Sequence, residues 1–545
     1  MRISIAQFNP HIGNFAGNLQ KMLDAVAKAK AEKADILCFG ELCVCGYPPR
    51  DFLEFDDFIQ YCNDSVERLA QETADGKIAL VVGSPTKNPK IEGKDLFNSA
   101  YFLVNGGVQQ VVHKTLLPTY DIFDEYRYFE PNTEFNVVHY KNKKIALTVC
   151  EDIWNVGNDN PLYTLCPLDE LAPQKPDFVL NLSASPFCYK HAAERIHVLK
   201  ANAIRYGLPI FYVNHSGAST EIIFDGGSIV MSPDGNVYDE LPYFIEEMRC
   251  YNLADVEKGG VNNTQTKDKM ALIHDALVCG IQNYFGKLGF KTAILGISGG
   301  IDSAVVAALA CRALGAKNVR GVMLPSGFSS EHSVADARKL AENLGMSHDL
   351  IPIKKGFEAM LETLAPFFEG TPFNIAEENI QARIRMVTLM ALSNKFGNVL
   401  LNTSNKSEAA VGYGTLYGDM AGGLAVLGDV YKTEVFELAR YINKDSEVIP
   451  ENSITKPPSA ELRPDQKDSD SLPDYGILDQ ILYQYIEQRE GPLEIIAQGY
   501  DENLVRRVLR MVNINEFKRF QTPPILRVSS KAFGMGRRMP IEGKY

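Results

Sequence analysis

Ile294-Leu295-Gly296-Ile297-Ser298-Gly299-Gly300-Ile301-Asp302-Ser303 decides how the second half of this chain folds. The apolar run from Ala293 to Ile297 reads as a buried parallel strand. Asp302 and Ser303 stand where a helix should begin, and both side chains suit a helix N-terminus. Gly299 and Gly300 between them permit backbone angles that a side chain forbids, and can expose consecutive N–H groups. Such a concavity at a helix N-terminus suits a phosphate or pyrophosphate. Ala304 to Leu314 is a strong helix former that stops at Gly315. The loop is not a Walker loop, since no Gly-Lys-Ser/Thr closes it.

Around this stretch the chain has 545 residues, enough for two or more domains with separate cores. A net charge of −13 argues against broad binding to nucleic acid or an anionic membrane. No window has the apolar length of a membrane span. Met1 to Phe8 alternates like a first strand and lacks a signal-peptide core. Ten cysteines are scattered without Cys-x-x-Cys or His/Cys metal spacing, which fits reduced thiols in a cytoplasmic protein. Cys43-Val44-Cys45 is too close-set for a zinc site and reads as core.

The segment Ser298 to Ser303 resembles the pyrophosphate loop of the N-type ATP pyrophosphatases. The resemblance implies cleavage of ATP between its α- and β-phosphates, with adenylation of a substrate. ATP contacts are then expected at Gly296, Ile297, Ser298, Gly299, Gly300, Ile301, Asp302 and Ser303.

In the first half, eight runs read as strands: 3–8, 36–39, 78–82, 100–104, 108–112, 145–149, 178–182 and 210–213. Helices are expected at 18–32, 55–72 and 191–206. Many strands with few helices between them predict a layered α/β sandwich, not a Rossmann sheet. Glu41, Lys114 and Cys150 each close one of these strands, where α/β proteins place reacting groups. Taken singly they are a solvated charge, a surface lysine and a buried thiol.

Together they resemble the Glu-Lys-Cys triad of the nitrilase (carbon–nitrogen hydrolase) superfamily over roughly residues 1–250, which implies an αββα sandwich. The implied chemistry suits the residue types. A free thiol is only a few per cent thiolate at neutral pH, so Cys150 needs a base, and Glu41 is that base. Lys114 stabilises the charge that grows on the amide oxygen. In the glutamine-using branch of that superfamily a tyrosine, a serine and a cation contact the substrate. Tyr120 and Ser185 match the first two, and Lys190 or His191 is the candidate cation.

Gly259 to Thr266 is polar and glycine-bearing, so residues 251–269 read as a linker between domains 1–250 and 270–545. Beyond it a helix at 270–286, the strand before the phosphate loop, strands at 319–324 and 349–353 and a helix at 333–344 alternate as in a doubly wound parallel sheet. A long helix from Glu377 puts Ile380, Ile384 and Val387 on one apolar face, with Asn379 and Arg383 together on another. The strand 399–402 ends in Thr403-Ser404-Asn405-Lys406-Ser407-Glu408, whose hydroxyls and carboxylate suit a nucleotide and its Mg²⁺.

These segments, with 413–419 and 456–463, look like the NAD⁺ synthetases, which amidate deamido-NAD⁺ to NAD⁺ through an adenylated intermediate, releasing AMP and pyrophosphate. The resemblance implies an ATP contact at Thr403, deamido-NAD⁺ contacts at Asn379, Glu408 and Lys531, and Mg²⁺ ligands at Asp302 and Glu408. The expected substrates are glutamine, ATP and deamido-NAD⁺, with no nucleic-acid or membrane partner and a homo-oligomeric assembly. The alternative is an amidotransferase–adenylase acting on another carboxylate. The charged, proline-bearing stretch Ile454 to Pro473 is expected to be a mobile lid.

Overall fold

A computed structural model describes residues 1–156, 162–265, 267–464 and 466–543. Thr266 of the expected linker and Asp465 of the expected lid lie outside the described residues. The chain divides into two compact units, Met1–Lys267 and Asp268–Tyr545.

The first unit carries β1 (Arg2–Gln7), β2 (Ile36–Cys38), β3 (Ala79–Lys87), β4 (Leu96–Val104), β5 (Gly107–His113), β6 (Val138–Tyr140) and β7 (Lys143–Val149). It continues with β8 (Phe178–Leu182), β9 (Ile210–Val213), β10 (Ser216–Ser219), β11 (Ile222–Asp225), β12 (Ile229–Met231), β13 (Val237–Glu240) and β14 (Glu247–Asn252). One sheet runs β14-β1-β2-β3-β4-β5, the other β13-β12-β9-β8-β7-β6, and β10 and β11 form a hairpin. Ile5, Cys38, Val81 and Phe102 of the first sheet bury against Leu147, Phe178, Leu180 and Phe211 of the second. Helices Phe15–Ala31 and Asp56–Gln71 cover the outer face of the first sheet through Met22, Val26, Val66 and Leu69. Helix His191–Tyr206 covers the second through Leu199 and Ala203. The layers are therefore αββα, because each sheet has apolar side chains on both faces and both must be covered.

All eight expected strands are present. The sequence reading did not find β6 or the strands β10 to β14, which are mostly three or four residues long and carry little periodicity. It also set the linker too early. Tyr251 and Asn252 close β14, and helix Leu253–Lys258 buries Leu253 and Val256 in the core between the sheets.

In the second unit β15 (Ala293–Gly296), β16 (Val319–Met323), β17 (Ser347–Leu350), β18 (Val399–Asn402) and β19 (Leu424–Ala425) are all parallel, in the order β17-β16-β15-β18-β19. Counted from β15 this is 3-2-1-4-5, so the direction of winding reverses between β15 and β18. A crevice opens beyond the carboxyl ends of the strands at such a reversal. Two expectations shift here. The strand placed at 349–353 runs Ser347–Leu350, because Ile353 already caps the helix Lys354–Phe368. In helix Ile375–Phe396 the buried face is Gln381, Ala382, Met386 and Leu389, whereas Val387 is 70% exposed.

Candidate active sites

In the first unit Glu41 follows β2 in a turn with its backbone N–H on the Ser183 carbonyl (3.3 Å). Its Oε1 accepts from Lys114 Nζ (2.7 Å) and Asn98 Nδ2 (2.7 Å), and its Oε2 from the Ala184 N–H (3.1 Å). Lys114, at the end of β5 and 1% exposed, also donates to Glu125 Oε1 at 2.8 Å. Burial works against its ammonium, but Glu125 and Glu41 outweigh that and hold it well above the ordinary lysine range. Burial and the neighbouring Glu41 raise the Glu125 carboxyl, and Lys114 pulls it back.

Cys150 opens the turn after β7 with φ +43°, a left-handed conformation rarely adopted by a side-chain-bearing residue. Burial first, then Glu41, push its thiol well above the usual range, while Lys114 draws it down. The thiol is thus neutral at rest and needs a base to become a nucleophile. Asp152 ties the two strand ends together. Its carboxylate accepts from the N–H groups of Thr115 (2.9 Å), Leu116 (2.9 Å) and Val149 (3.0 Å).

The substrate-contact candidates surround this centre less tightly. Tyr120 donates to Glu151 Oε1 (2.9 Å), which also accepts from Tyr163 (2.9 Å). Ser185 is buried, with its N–H on Asn214 Oδ1 (2.8 Å) and its carbonyl accepting from Asn214 Nδ2 (3.2 Å). Lys190 is exposed at the start of helix His191–Tyr206. His191 lies with Nδ1 3.0 Å from the Pro186 carbonyl, and burial and Arg195 lower its pKa, so it is neutral at pH 7.

In the second unit a cavity of about 330 Å³ opens at the reversal between β15 and β18. Gly296, Ile297, Ser298, Gly300, Ile301, Asp302, Ser303, Thr403 and Glu408 line it. Gly299 does not. It lies behind the loop, its carbonyl accepting from Ser453 Oγ (2.9 Å). The helix begins at Ile301, one residue before Asp302, so Asp302 and Ser303 lie in its first turn, and Ser303 Oγ donates to the Gly300 carbonyl (3.0 Å). Asn379 and Lys531 are also outside the lining. The Asn379 Oδ1 accepts from Thr415 Oγ1 (2.7 Å), and the Lys531 carbonyl accepts from Lys406 Nζ (2.9 Å).

Asp302 Oδ2 and Glu408 Oε1 both accept from Lys432 Nζ, at 2.5 and 3.3 Å. Burial pushes the Glu408 carboxyl up to about 8, against the pull of Lys432. Two carboxylates aimed at one cation are a hard-oxygen donor pair. Mg²⁺ in phosphate sites is held by one or two carboxylates plus phosphate oxygens, so the pair fits it. No group of three His, Cys, Asp or Glu suited to a metal occurs among the described residues.

The sequence reading missed Glu125, Asn98, Asp152 and Lys432 as parts of these sites. Glu125 opens a three-residue 3-10 turn, Glu125–Arg127, too short for any periodicity to mark it. Lys432 carried a usable signal: a lysine in the first turn of a helix, directly after Val430 and Tyr431, opposes the helix dipole.

The model of the carbon–nitrogen hydrolase family matches residues 2–262, and that of the NAD synthase family residues 273–522. Together these define an enzyme that carries an amide-hydrolysing fold and a nucleotide-activating fold in one chain. The chain is 45% identical over 552 residues to a glutamine-dependent NAD(+) synthetase of Synechocystis sp., covering 99% of this chain and 98% of that protein. It is 42% identical over 546 residues to a protein of the same name from Acinetobacter baylyi, with 99% and 98% covered. A solved glutamine-dependent NAD+ synthetase of Acinetobacter baumannii, in complex with ADP, is 38% identical with a TM-score of 0.77, covering 99% of this chain and 98% of that one. The chain belongs to the glutamine-dependent NAD⁺ synthetases. No helix among the described residues is long and apolar enough to cross a membrane.

Proposed function

We propose that this chain amidates deamido-NAD⁺ to NAD⁺ at the expense of ATP, with glutamine as the nitrogen source. The observation that carries the reading is the burial of the Glu41 carboxylate, the Lys114 ammonium and the Cys150 thiol together in a unit of hydrolase fold. Glu41 takes the Cys150 proton, and the thiolate attacks the glutamine side-chain carbonyl carbon. Lys114 and nearby N–H groups stabilise the oxyanion. The C–N bond breaks, and ammonia leaves with the proton returned by Glu41. Water, deprotonated by the same carboxylate, then cleaves the thioester to glutamate. Tyr120, Ser185 and Lys190 hold the substrate, with Lys190 as the charged partner of its carboxylate.

In the second unit the loop 298–300 and the helix behind it hold the ATP phosphates, beside Thr403. The nicotinate carboxylate attacks the α-phosphorus and pyrophosphate leaves. Ammonia then attacks the acyl carbon, and AMP departs. Asp302 and Glu408 would hold Mg²⁺, which neutralises charge on the leaving phosphates. Asn379, Glu408 and Lys531 are proposed deamido-NAD⁺ contacts, although Asn379 and Lys531 stand back from the cavity. Residues 454–473 act as a lid, supported by the cavity-lining positions of Lys456 to Leu462. A homo-oligomer is inferred as well, supported by the exposure of Phe367, Ile375 and Val387.

The test is Cys150→Ala. Glutamine-dependent NAD⁺ formation is expected to fall at least about 10³-fold, as for loss of a covalent nucleophile, with ammonia-dependent formation within about twofold of the parent. Equal loss of both activities would sink the division of labour.

A further inference from the structure

Asn98 on β4 is fully buried and bonds three residues of the first unit's site at once, two through their carboxylates and Lys114 through its backbone. Its Nδ2 donates to Glu41 Oε1 at 2.7 Å and to Glu125 Oε2 at 3.4 Å. Its backbone carbonyl accepts the Lys114 N–H at 2.8 Å. Lys114 Nζ donates to that same Glu41 oxygen and to the other Glu125 oxygen. Two donors and two carboxylates thus close a ring, and only one of the donors carries charge.

Two carboxylates sharing a buried site compete for a proton, since each disfavours ionisation of the other. Lys114 offsets one negative charge. A second positive side chain would offset the other but would have to be buried too, at a large desolvation cost. A neutral amide supplies a directed N–H without adding charge. It favours ionisation of whichever oxygen it meets at the shorter distance, and that oxygen belongs to Glu41.

We propose that Asn98 is a positioning residue of the glutamine-hydrolysing reaction, aiming the Glu41 carboxylate and keeping it ionised as the acceptor of the Cys150 proton. This rests on the reading of Glu41 as the base. The choice of residue agrees with it. Aspartate at this position would place a third carboxylate in the ring, and an apolar side chain would leave Glu41 Oε1 with Lys114 as its remaining donor. The groups facing Glu41 are Lys114, Glu125, Cys150 and the Tyr47 hydroxyl, which donates to Glu125 (2.7 Å), together with the His215 ring packed over Gly40.

The experiment is the pH profile of kcat/KM for glutamine hydrolysis in the full-length enzyme and in Asn98→Ala and Asn98→Leu, with Glu41→Gln as reference. The leucine variant keeps the number and branching of side-chain heavy atoms and so leaves no cavity, which keeps the test available if the alanine variant does not fold. The acid limb is expected to move up by about one pH unit, because a base that loses a charge-assisted donor holds its proton about tenfold more tightly. At pH 7, kcat is expected to fall about 10- to 100-fold, with KM for glutamine within about threefold. An acid limb that stays in place in the folded variants overturns the proposal even if kcat falls, since a packing role alone lowers the rate at every pH. Failure of the underlying reading has a different signature, in which Glu41→Gln itself keeps parental glutamine hydrolysis.

Discussion

Gly299 has φ +80°, and a Cβ built on it would collide with the backbone carbonyl of Ser333. Neither obstacle can be relieved by rotating a side chain, because one is the backbone of Gly299 itself and the other is the backbone of Ser333, held in the helix Glu331–Leu344. Gly299→Ala is therefore expected to cost about 1–3 kcal/mol of stability in the second unit and to raise the KM for ATP at least about tenfold. Thermal melting and steady-state kinetics check this, and an unchanged KM would show that the phosphates do not rest on this turn. Gly300 has no such collision with backbone, so the two glycines serve different purposes. At this scale Glu41, Lys114 and Cys150 were legible, because a reactive residue type at the end of an apolar run stands out. Glu125 and Asn98 were not. One sits in a single 3-10 turn, and the other is an asparagine inside a strand whose value depends on which neighbours reach it.

Among elements, the segment 454–473 carries contacts that its composition did not foretell. Its composition suggests a mobile lid, yet it is held down by particular bonds. Lys456 Nζ donates to Ser333 Oγ (3.1 Å), the Glu461 carboxylate accepts from Ser330 and Ser333 hydroxyls (3.0 and 2.7 Å), and the Leu462 carbonyl accepts from Gln381 (2.9 Å). The bonds of 456–462 are polar and partly exposed, which suits a short stretch that opens at low free-energy cost. Asp468, by contrast, accepts from Tyr413 and Tyr475, and Leu472 is buried in the unit's core. If it closes over bound nucleotide, amide hydrogen exchange at 456–462 is expected to slow at least about tenfold with ATP and deamido-NAD⁺, and to stay fast without them. Exchange that ignores both substrates would count against a lid. The strand–loop–helix at 293–314 was clear because three signals agreed there. The strands after residue 213 were not, because a three-residue strand is defined by its partner more than by its own pattern.

For the whole molecule, the division at Lys267/Asp268 separates two units with their own sheets and cores. Among the described residues, the strands β15–β19 and the lining of the cavity beside them come from Asp268–Tyr545. A fragment of residues 268–545 is expected to fold and to make NAD⁺ from ammonia within about tenfold of the full chain, by the autonomy of domains with separate cores. A fragment that folds but is inert with ammonia would mean that the first unit supplies more than nitrogen. The resemblance to known families suggested that Glu41, Lys114 and Cys150 act together. The amino-acid sequence by itself determined the α/β class of both halves, the strand-end placing of those three residues and the strand–loop–helix at 293–314. Those are local matters, set by apolar periodicity, strand ends and glycines that act over a few residues. Only the tertiary structure decided that Asn98 and Glu125 join Glu41 and Lys114, and that Lys432 lies between Asp302 and Glu408. These partners come from separate strands, loops and helices, and burial makes their charges interact strongly only once folding has brought them within about 3 Å.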